Sequence, residues 1–420
     1  MSIIVGFLMV RVVLDYLDQT KYGIWLTLSS FLTWFTFFEI GLGSGLQNKL
    51  AEALAIKDYK LGKIYVSTTY AILTLVISIV AIIFFIGNFF IDWSIILNTD
   101  KHLAPELSNL ALIVFGFFFL RFVIKLIDII LRADQRPALA NSFGPLGNLM
   151  ALIVIYGLTK LTEGSLIYLG WVLSVAPVLV LLIATLYFYT KEYNYLTPSL
   201  KYVDFKYAKN LLNLGVKFFI IQIVGLVIYQ SSNIIIAQYF GPSEVTVYNI
   251  AYKYFSIIIM GFTIIVTPFW AAYTEAWIKN DIIWIKNTVK KLLNIWIVMT
   301  LGGIIMLIFS DKFYHLWIGD KVIIPFNLSI ALLIYFVTFT FGGVFTMFIN
   351  GVGKVKLQMI SSVIGAIVFL IAAISIIEFT DFGITGLVIA SIISNFNGII
   401  IAPIQYNKII NKKAFGIWNE

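Results

Sequence analysis

Long apolar runs separated by short polar turns recur along the whole chain. They lie at about 1–14, 22–46, 64–91, 107–131, 142–160 and 165–189, then at about 215–239, 246–273, 291–310, 326–349, 358–378 and 384–406. A helix rises ~1.5 Å per residue and a bilayer core is ~30 Å thick, so runs of this length predict membrane-spanning helices. The pattern predicts an all-α integral membrane protein of about twelve spans. The longest polar stretch, Thr190 to Leu214, falls midway. It divides the chain into an N-terminal six-helix lobe (1–189), a cytoplasmic linker (190–214), a C-terminal six-helix lobe (215–406) and a cytoplasmic tail (407–420). The first run is short, reaching roughly 21 Å at ~1.5 Å per residue. Either this helix is partly buried by its neighbours or it begins upstream. "MSIIVGFLMVRVVL" has no basic n-region and no small-residue cleavage site, so it reads as a span rather than a cleavable signal.

The two halves resemble each other. Displaced by 223 positions, "YLDQTKYGIW" from Tyr16 meets "YFGPSEVTVY" from Tyr239. At the same displacement "AEALAIKD" (Ala51–Asp58) meets "TEAWIKND" (Thr274–Asp281), with Glu52 on Glu275 and Asp58 on Asp281. Displaced by 218, "LRADQRPAL" from Leu131 meets "INGVGKVKL" from Ile349. Together these matches predict a six-plus-six duplication. An even number of spans per half makes the repeats parallel, with a substrate path between them. Pro145, Pro177, Pro268 and Pro403 fall inside apolar runs, where each removes a backbone hydrogen bond and promotes a kink. "GLGSGL" at Gly41–Leu46 permits a bend or a close helix approach.

Composition agrees with the pattern. The chain is 60% hydrophobic and 12% charged, against about 25% charged in soluble domains. Without cysteine it has no disulfide or thiolate metal site, and its two histidines, His102 and His315, are far apart. No zinc site, catalytic triad or cofactor site is legible. A net charge of +8 raises the question of a nucleic-acid partner, but the basic residues lie elsewhere than such a partner requires. With both termini cytoplasmic, 20 of the 29 fall in cytoplasmic segments, 5 in external ones and 4 inside spans. That bias follows the positive-inside rule and requires an even number of spans.

The four basic residues inside spans are Arg11, Arg121, Lys125 and Lys253, accompanied by only two acids, Glu39 and Asp128. A charge at bilayer depth costs at least ~2.5–3.5 kcal/mol, so such residues ordinarily face an internal cavity. Arg121, Lys125, Asp128 and Arg132 are spaced i, i+4, i+7, i+11, which places all four on one helical face. Snorkelling to headgroups is the competing reading. It suits Arg132 well, Lys125 less, and Arg121 least because of its depth. For Lys253 and Arg11 the same alternative applies toward the external face, with Asp15 near Arg11. Glu39 and Asp128 read as ion-pair partners or as groups coupling transport to an ion gradient. Tyr248 and Tyr252, one turn apart beside Lys253, read as packing or as the wall of a sugar-accommodating cavity. Two tempting motifs fail: "GLGSGL" has no preceding strand, and "NGVGKV" lacks the first glycine and final Ser/Thr of a phosphate loop.

The segments "YGIWLTLSSFLTWFTFFEIGLGSGLQNKLAEAL" from Tyr22, "LRADQRPALANS" from Leu131, "GVKFFIIQIVGLVIYQSSNIIIAQYFGPSEVTVYNIAYKYF" from Gly215, "PFWAAYTEAW" from Pro268 and "NGVGKVKLQ" from Asn350 carry a resemblance. Across its whole length the chain resembles bacterial polysaccharide or O-antigen repeat-unit flippases of the multidrug/oligosaccharidyl-lipid/polysaccharide transporter superfamily. The resemblance implies a MATE-like, V-shaped pair of six-helix bundles in the bacterial plasma (inner) membrane. It implies no cofactor, and a cargo of undecaprenyl-pyrophosphate-linked oligosaccharide flipped from the cytoplasmic to the external leaflet by alternating access. Membrane lipids and the polysaccharide polymerase and chain-length machinery are the implied partners, and nucleic acid is not one. Cationic residues meeting the pyrophosphate are expected in such proteins, and Arg121, Lys125, Lys253 and Arg11 are the candidates here. Glu39 stands where relatives often carry Asp, and Gln47 where they often carry Arg. Two other readings compete: a multidrug or cation antiporter of the same superfamily, which favours an acidic cavity, and a membrane glycosyltransferase or polymerase, which needs a larger external loop than Asp92–Glu106.

Overall fold

The computed structural model describes residues 2–35, 42–207 and 230–420, which are helical with no strand among them. The chain divides into two compact units, Met1–Phe219 and Ile220–Glu420. In unit 1 the helices are α1 (Ser2–Tyr16), α2 (Gln19–Phe35), α3 (Leu42–Ala55), α4 (Tyr59–Asn88), α5 (Trp93–Ile96), α6 (Ala104–Ile124), α7 (Leu126–Ala133), α8 (Pro137–Ala140), α9 (Phe143–Leu161) and α10 (Leu166–Thr190). In unit 2 residues 230–240 are helical (α11). They are followed by α12 (Pro242–Val266), α13 (Phe269–Ile278), α14 (Ile282–Ile308), α15 (Ser310–Ile318), α16 (Phe326–Gly351), α17 (Lys356–Phe379), α18 (Ile384–Ser394), a π turn at Asn397–Ile401 and α19 (Ala402–Ile410).

Nine helical stretches among the described residues are long and apolar enough to cross a membrane. Two further expected spans, α1 and α2, have 15 and 17 described residues and fall short. The run at 215–239 lies partly outside the described residues. Span boundaries moved where apolar and polar residues share one helix. α14 starts at Ile282 rather than near 291, because its first turns carry Lys286, Lys290 and Lys291 between apolar residues and extend past the hydrocarbon. The run expected at 246–273 is two helices, broken at Thr267 and Pro268. The described part of the expected linker packs on unit 1: the Ser199 amide donates to Ser67 Oγ (3.1 Å) and the Asp204 amide to Thr68 Oγ1 (3.0 Å).

Each unit is built around one helix. Half of the apolar window of the α6–α7 span is buried inside the protein, and 56% of that of α16, against 17% for α4 and 11% for α14. α4 and α14 turn rows of Ile and Leu outward, including Ile79, Ile83 and Ile86, and Leu301, Ile305 and Ile308. An outward apolar row of that length is stable only against lipid. The chain is a multi-pass membrane protein.

The duplication appears in backbone detail. α7 and α16 end at Ala133 and Gly351, 218 positions apart. Both ends close with the same left-handed residue, Gln135 (φ 58°) and Gly353 (φ 73°). In both, the next amide reaches back five residues, Arg136 to the Leu131 carbonyl (2.8 Å) and Lys354 to that of Ile349 (3.2 Å). This is a Schellman stop, which satisfies carbonyls that the helix end leaves orphaned. Thr162 and Thr380, also 218 apart, end α9 and α17 in the same extended conformation. At the 223 displacement, Lys57 (φ 59°) and Asn280 (φ 55°) stop one helix. Asp58 and Asp281 then cap the next, accepting from Leu61 and Trp284 amides at 2.9 Å each. At the 218 displacement Pro177 sits inside the unbroken helix α10, and its counterpart Asn395 ends α18 before the π turn.

Candidate functional site

The charged face of the α6–α7 span opens onto a cavity of about 210 Å³. Its walls are Arg121, Lys125, Asp128, Arg132, Ala140, Asn141, Phe143, Gly144, Pro177 and Leu181. At 100° per residue the four charged positions fall within about 60° of one another, so one helix face delivers all of them. Arg121 and Arg132 are about 16 Å apart along the axis, which makes the charged wall a stripe rather than a point. The helix is locally tightened in the middle of that stripe. The Asp128 amide donates to the carbonyl of Lys125 at 2.9 Å, three residues back instead of four.

Burial grades along the stripe. Asp128 is 8% exposed, Arg121 and Lys125 are half-buried, and Arg132 is exposed at the end nearest the α7–α8 turn. Arg132 Nη2 donates to Asn141 Oδ1 at 3.0 Å, joining the two sides of the cavity mouth. Among the described residues no hydrogen bond or ion pair holds the Arg121 guanidinium.

The opposite wall depends on a close helix approach. A Cβ on Gly147 would stand 2.8 Å from Pro177 Cα and 3.1 Å from its Cβ, so only glycine lets α9 touch α10 there. One turn earlier, Gly144 has nothing within 4 Å of its would-be Cβ, and the gap is cavity. The same device recurs in unit 2, where a Cβ on Gly365 would meet the Ser394 carbonyl at 2.8 Å.

A clasp outside the membrane fixes the turn that carries Ala140 and Asn141. Arg136 pairs with Glu192, and the Tyr193 hydroxyl donates to Asp134 Oδ2 at 2.6 Å. The Glu192 carboxylate holds the Arg136 guanidinium above its usual range. Burial, then the bond to Asp134, pushes the Tyr193 phenol up.

The structure thus gathers three of the expected site residues, Arg121, Lys125 and Asp128, and adds Arg132, which sequence assigned to headgroups. Asn141, Gly144 and Pro177 carried no charge signal; only Pro177 stood out, as a kink. Lys253 lies in unit 2, half-buried on α12. Beside it the rings of Tyr248 and Tyr252 are 5.7 Å apart, and Tyr252 meets Phe336 edge-on at 5.0 Å. Arg11 is exposed on α1. Glu39 lies outside the described residues.

Comparison with known proteins bears on this arrangement. A family model described as "Polysaccharide biosynthesis protein" matches residues 1–273. A protein named "Putative O-antigen transporter" from Salmonella typhi is 24% identical over 265 residues, 59% of this chain and 56% of that protein. The chain therefore spans little more than half the length of that relative. One named "Putative O-antigen export protein" from Yersinia pseudotuberculosis is 20% identical over 409 residues, 94% of this chain and 89% of that protein. Among solved structures, a multidrug resistance MATE family transporter of the MOP superfamily superposes with a TM-score of 0.83 at 14% identity, covering 99% of this chain and 97% of its own. At that identity the likeness establishes a MATE-like fold.

Proposed function

The chain belongs to the polysaccharide biosynthesis protein family, and from that premise we propose that it is a transporter of polysaccharide precursors. More closely, we read it as a flippase carrying undecaprenyl-pyrophosphate-linked oligosaccharide from the cytoplasmic to the external leaflet of a bacterial inner membrane, with both termini cytoplasmic. The observation that carries this reading is the cavity of Arg121, Lys125, Asp128 and Arg132. Three bases against one acid leave two positive charges, which complement the roughly two negative charges of a pyrophosphate. A cationic drug would be repelled there.

Size divides the cargo. Pockets for drug-sized ligands run about 300–1,000 Å³, and this cavity, at 210 Å³, takes a diphosphate but no oligosaccharide. Arg121 and Lys125 replace water around the phosphate oxygens, and Arg132, steered by Asn141, meets the anion at the mouth. Asp128 keeps the attraction moderate enough for release. Lys253, with its tyrosines, and Arg11 are proposed as further contacts. The polyprenyl tail stays in lipid throughout. Moving two negative charges outward is favourable by roughly 5 kcal/mol per 100 mV in an inside-negative cell, at ~2.3 kcal/mol per charge.

The test is transfer of a fluorescent polyprenyl-diphosphate disaccharide across proteoliposomes containing the purified chain. Wild type is expected to move it, and Arg121→Ala and Lys253→Ala to slow it. Full transfer by both variants sinks the residue assignment, and no transfer by wild type sinks the function.

A further inference from the structure

Unit 2 holds a second polar cavity, of about 290 Å³, lined by Ser310, Asp311, Tyr314, Ile324, Phe326 and Ser329. It sits at the Phe326 end of α16, about 39 Å along the helix from the Gly351 end that leads into Lys354 and Lys356. By the charge bias this is the external end.

Its hydrogen bonds do not close on themselves. Tyr314 and Ser329 are 5% and 1% exposed, and their hydroxyls are 3.1 Å apart. Two hydroxyls carry two hydrogens. One is spent in the mutual bond, and the other has no acceptor among the hydrogen bonds of the described residues. Ser310 Oγ donates to the Leu307 carbonyl at 2.8 Å and keeps its lone pairs. Asp311, exposed on the first turn of α15, adds a carboxylate. Ile324 and Phe326, the latter 56% exposed, supply an apolar wall.

The combination selects a ligand class. An anion is repelled by Asp311, a metal cation makes no use of a buried O–H donor, and a purely apolar ligand leaves the hydroxyls unsatisfied at a cost. A pyranose ring matches every part. Its hydroxyls donate to the carboxylate, accept from the Tyr314–Ser329 pair, and leave an apolar C–H face for Phe326. We propose that this cavity is a saccharide site that takes one sugar residue. Its volume is just below the range for drug-sized ligands, which suits a single ring and excludes a whole repeat unit. The inference rests on the transport reading only for its physiological ligand, a sugar of the cargo after it reaches the external side.

The experiment uses the purified full chain in nanodiscs, with the methyl glycosides of glucose, galactose, mannose and N-acetylglucosamine as probes. Saturation-transfer NMR is expected to detect saturable contact with the ring protons of at least one. Asp311→Asn and Phe326→Ala, both at exposed side chains, should each weaken it about tenfold, the loss of one charge-assisted bond or one stacked face. Arg121→Ala should leave it unchanged. The proposal is overturned if no glycoside binds wild type, the cavity then holding water only, or if binding survives both substitutions. Precursor transfer without glycoside binding rejects this site and keeps the transporter; glycoside binding without transfer does the reverse.

Discussion

Replacing Arg121 tests the anion cavity most directly, because its guanidinium is half-buried and no hydrogen bond or ion pair among the described residues holds it. Arg121→Ala lowers the cavity from two net positive charges to one, and Arg121→Glu lowers it to none. A charge-assisted hydrogen bond contributes about 1.5–3 kcal/mol, which is roughly ten- to hundredfold in affinity. Arg121→Ala should therefore weaken binding of a short polyprenyl diphosphate by that factor. Arg121→Lys keeps the charge and loses the two-pronged geometry, so its loss should be smaller. Arg121→Glu replaces attraction with repulsion. At an effective dielectric of ~20 and ~4 Å, a unit charge contributes about 4 kcal/mol, so this variant should fall well below alanine. Equilibrium binding of radiolabelled ligand in nanodiscs measures the series, and thermal unfolding should hardly move. If alanine binds within about threefold of wild type, or if lysine and glutamate behave alike, electrostatic recognition at this cavity is wrong.

Two other outcomes follow from the packing and the loops. Gly147→Ala forces a methyl to 2.8 Å from Pro177 backbone and should cost about 1–3 kcal/mol of stability. Gly144→Ala enters open space and should be neutral or slightly stabilising; equal unfolding temperatures for the two variants would refute the close-approach argument. In the loop before α5, the Ser94 hydroxyl, 2.6 Å from Asp92 Oδ1, holds the Asp92 carboxyl below its usual range, aided by the backbone. A lowered folded pKa contributes stability above the ordinary carboxylate pKa near 4 that is lost as pH falls through the folded value. Amide exchange at Ser94 and Ile95 should therefore accelerate only in acid, and Ser94→Ala should move the onset to higher pH; an onset unmoved by that substitution counts against the assignment.

How much of this was legible in the sequence depended on whether a feature is local. The spans, the two displacements and the charged face of Arg121, Lys125 and Asp128 are periodic, and periodicity survives folding. The second wall of the cavity was not legible. It exists because Gly147 lets α9 reach Pro177, and no local pattern tells Gly147 from Gly144. Arg132 was read as snorkelling because its bond to Asn141 crosses a turn. The start of α14 was misplaced because hydropathy alone cannot see a helix continuing through lysines. The hydroxyls of Ser310, Tyr314 and Ser329 look ordinary in sequence and converge only through the loop between α15 and α16.

The duplicated frame has a consequence for how such a chain acquires new cargo. Positions 218 residues after Arg121, Lys125, Asp128 and Arg132 hold Phe339, Gly343, Thr346 and Asn350. The second copy keeps the helix stop and the glycine contact, yet has no charge on that face. What specifies architecture therefore sits at turns and crossings, while the charges proposed to meet the cargo in the first cavity are four residues on one stripe about 16 Å long. Those two sets do not overlap, so the stripe is free to be rewritten for a headgroup of different charge while the membrane fold stays as it is.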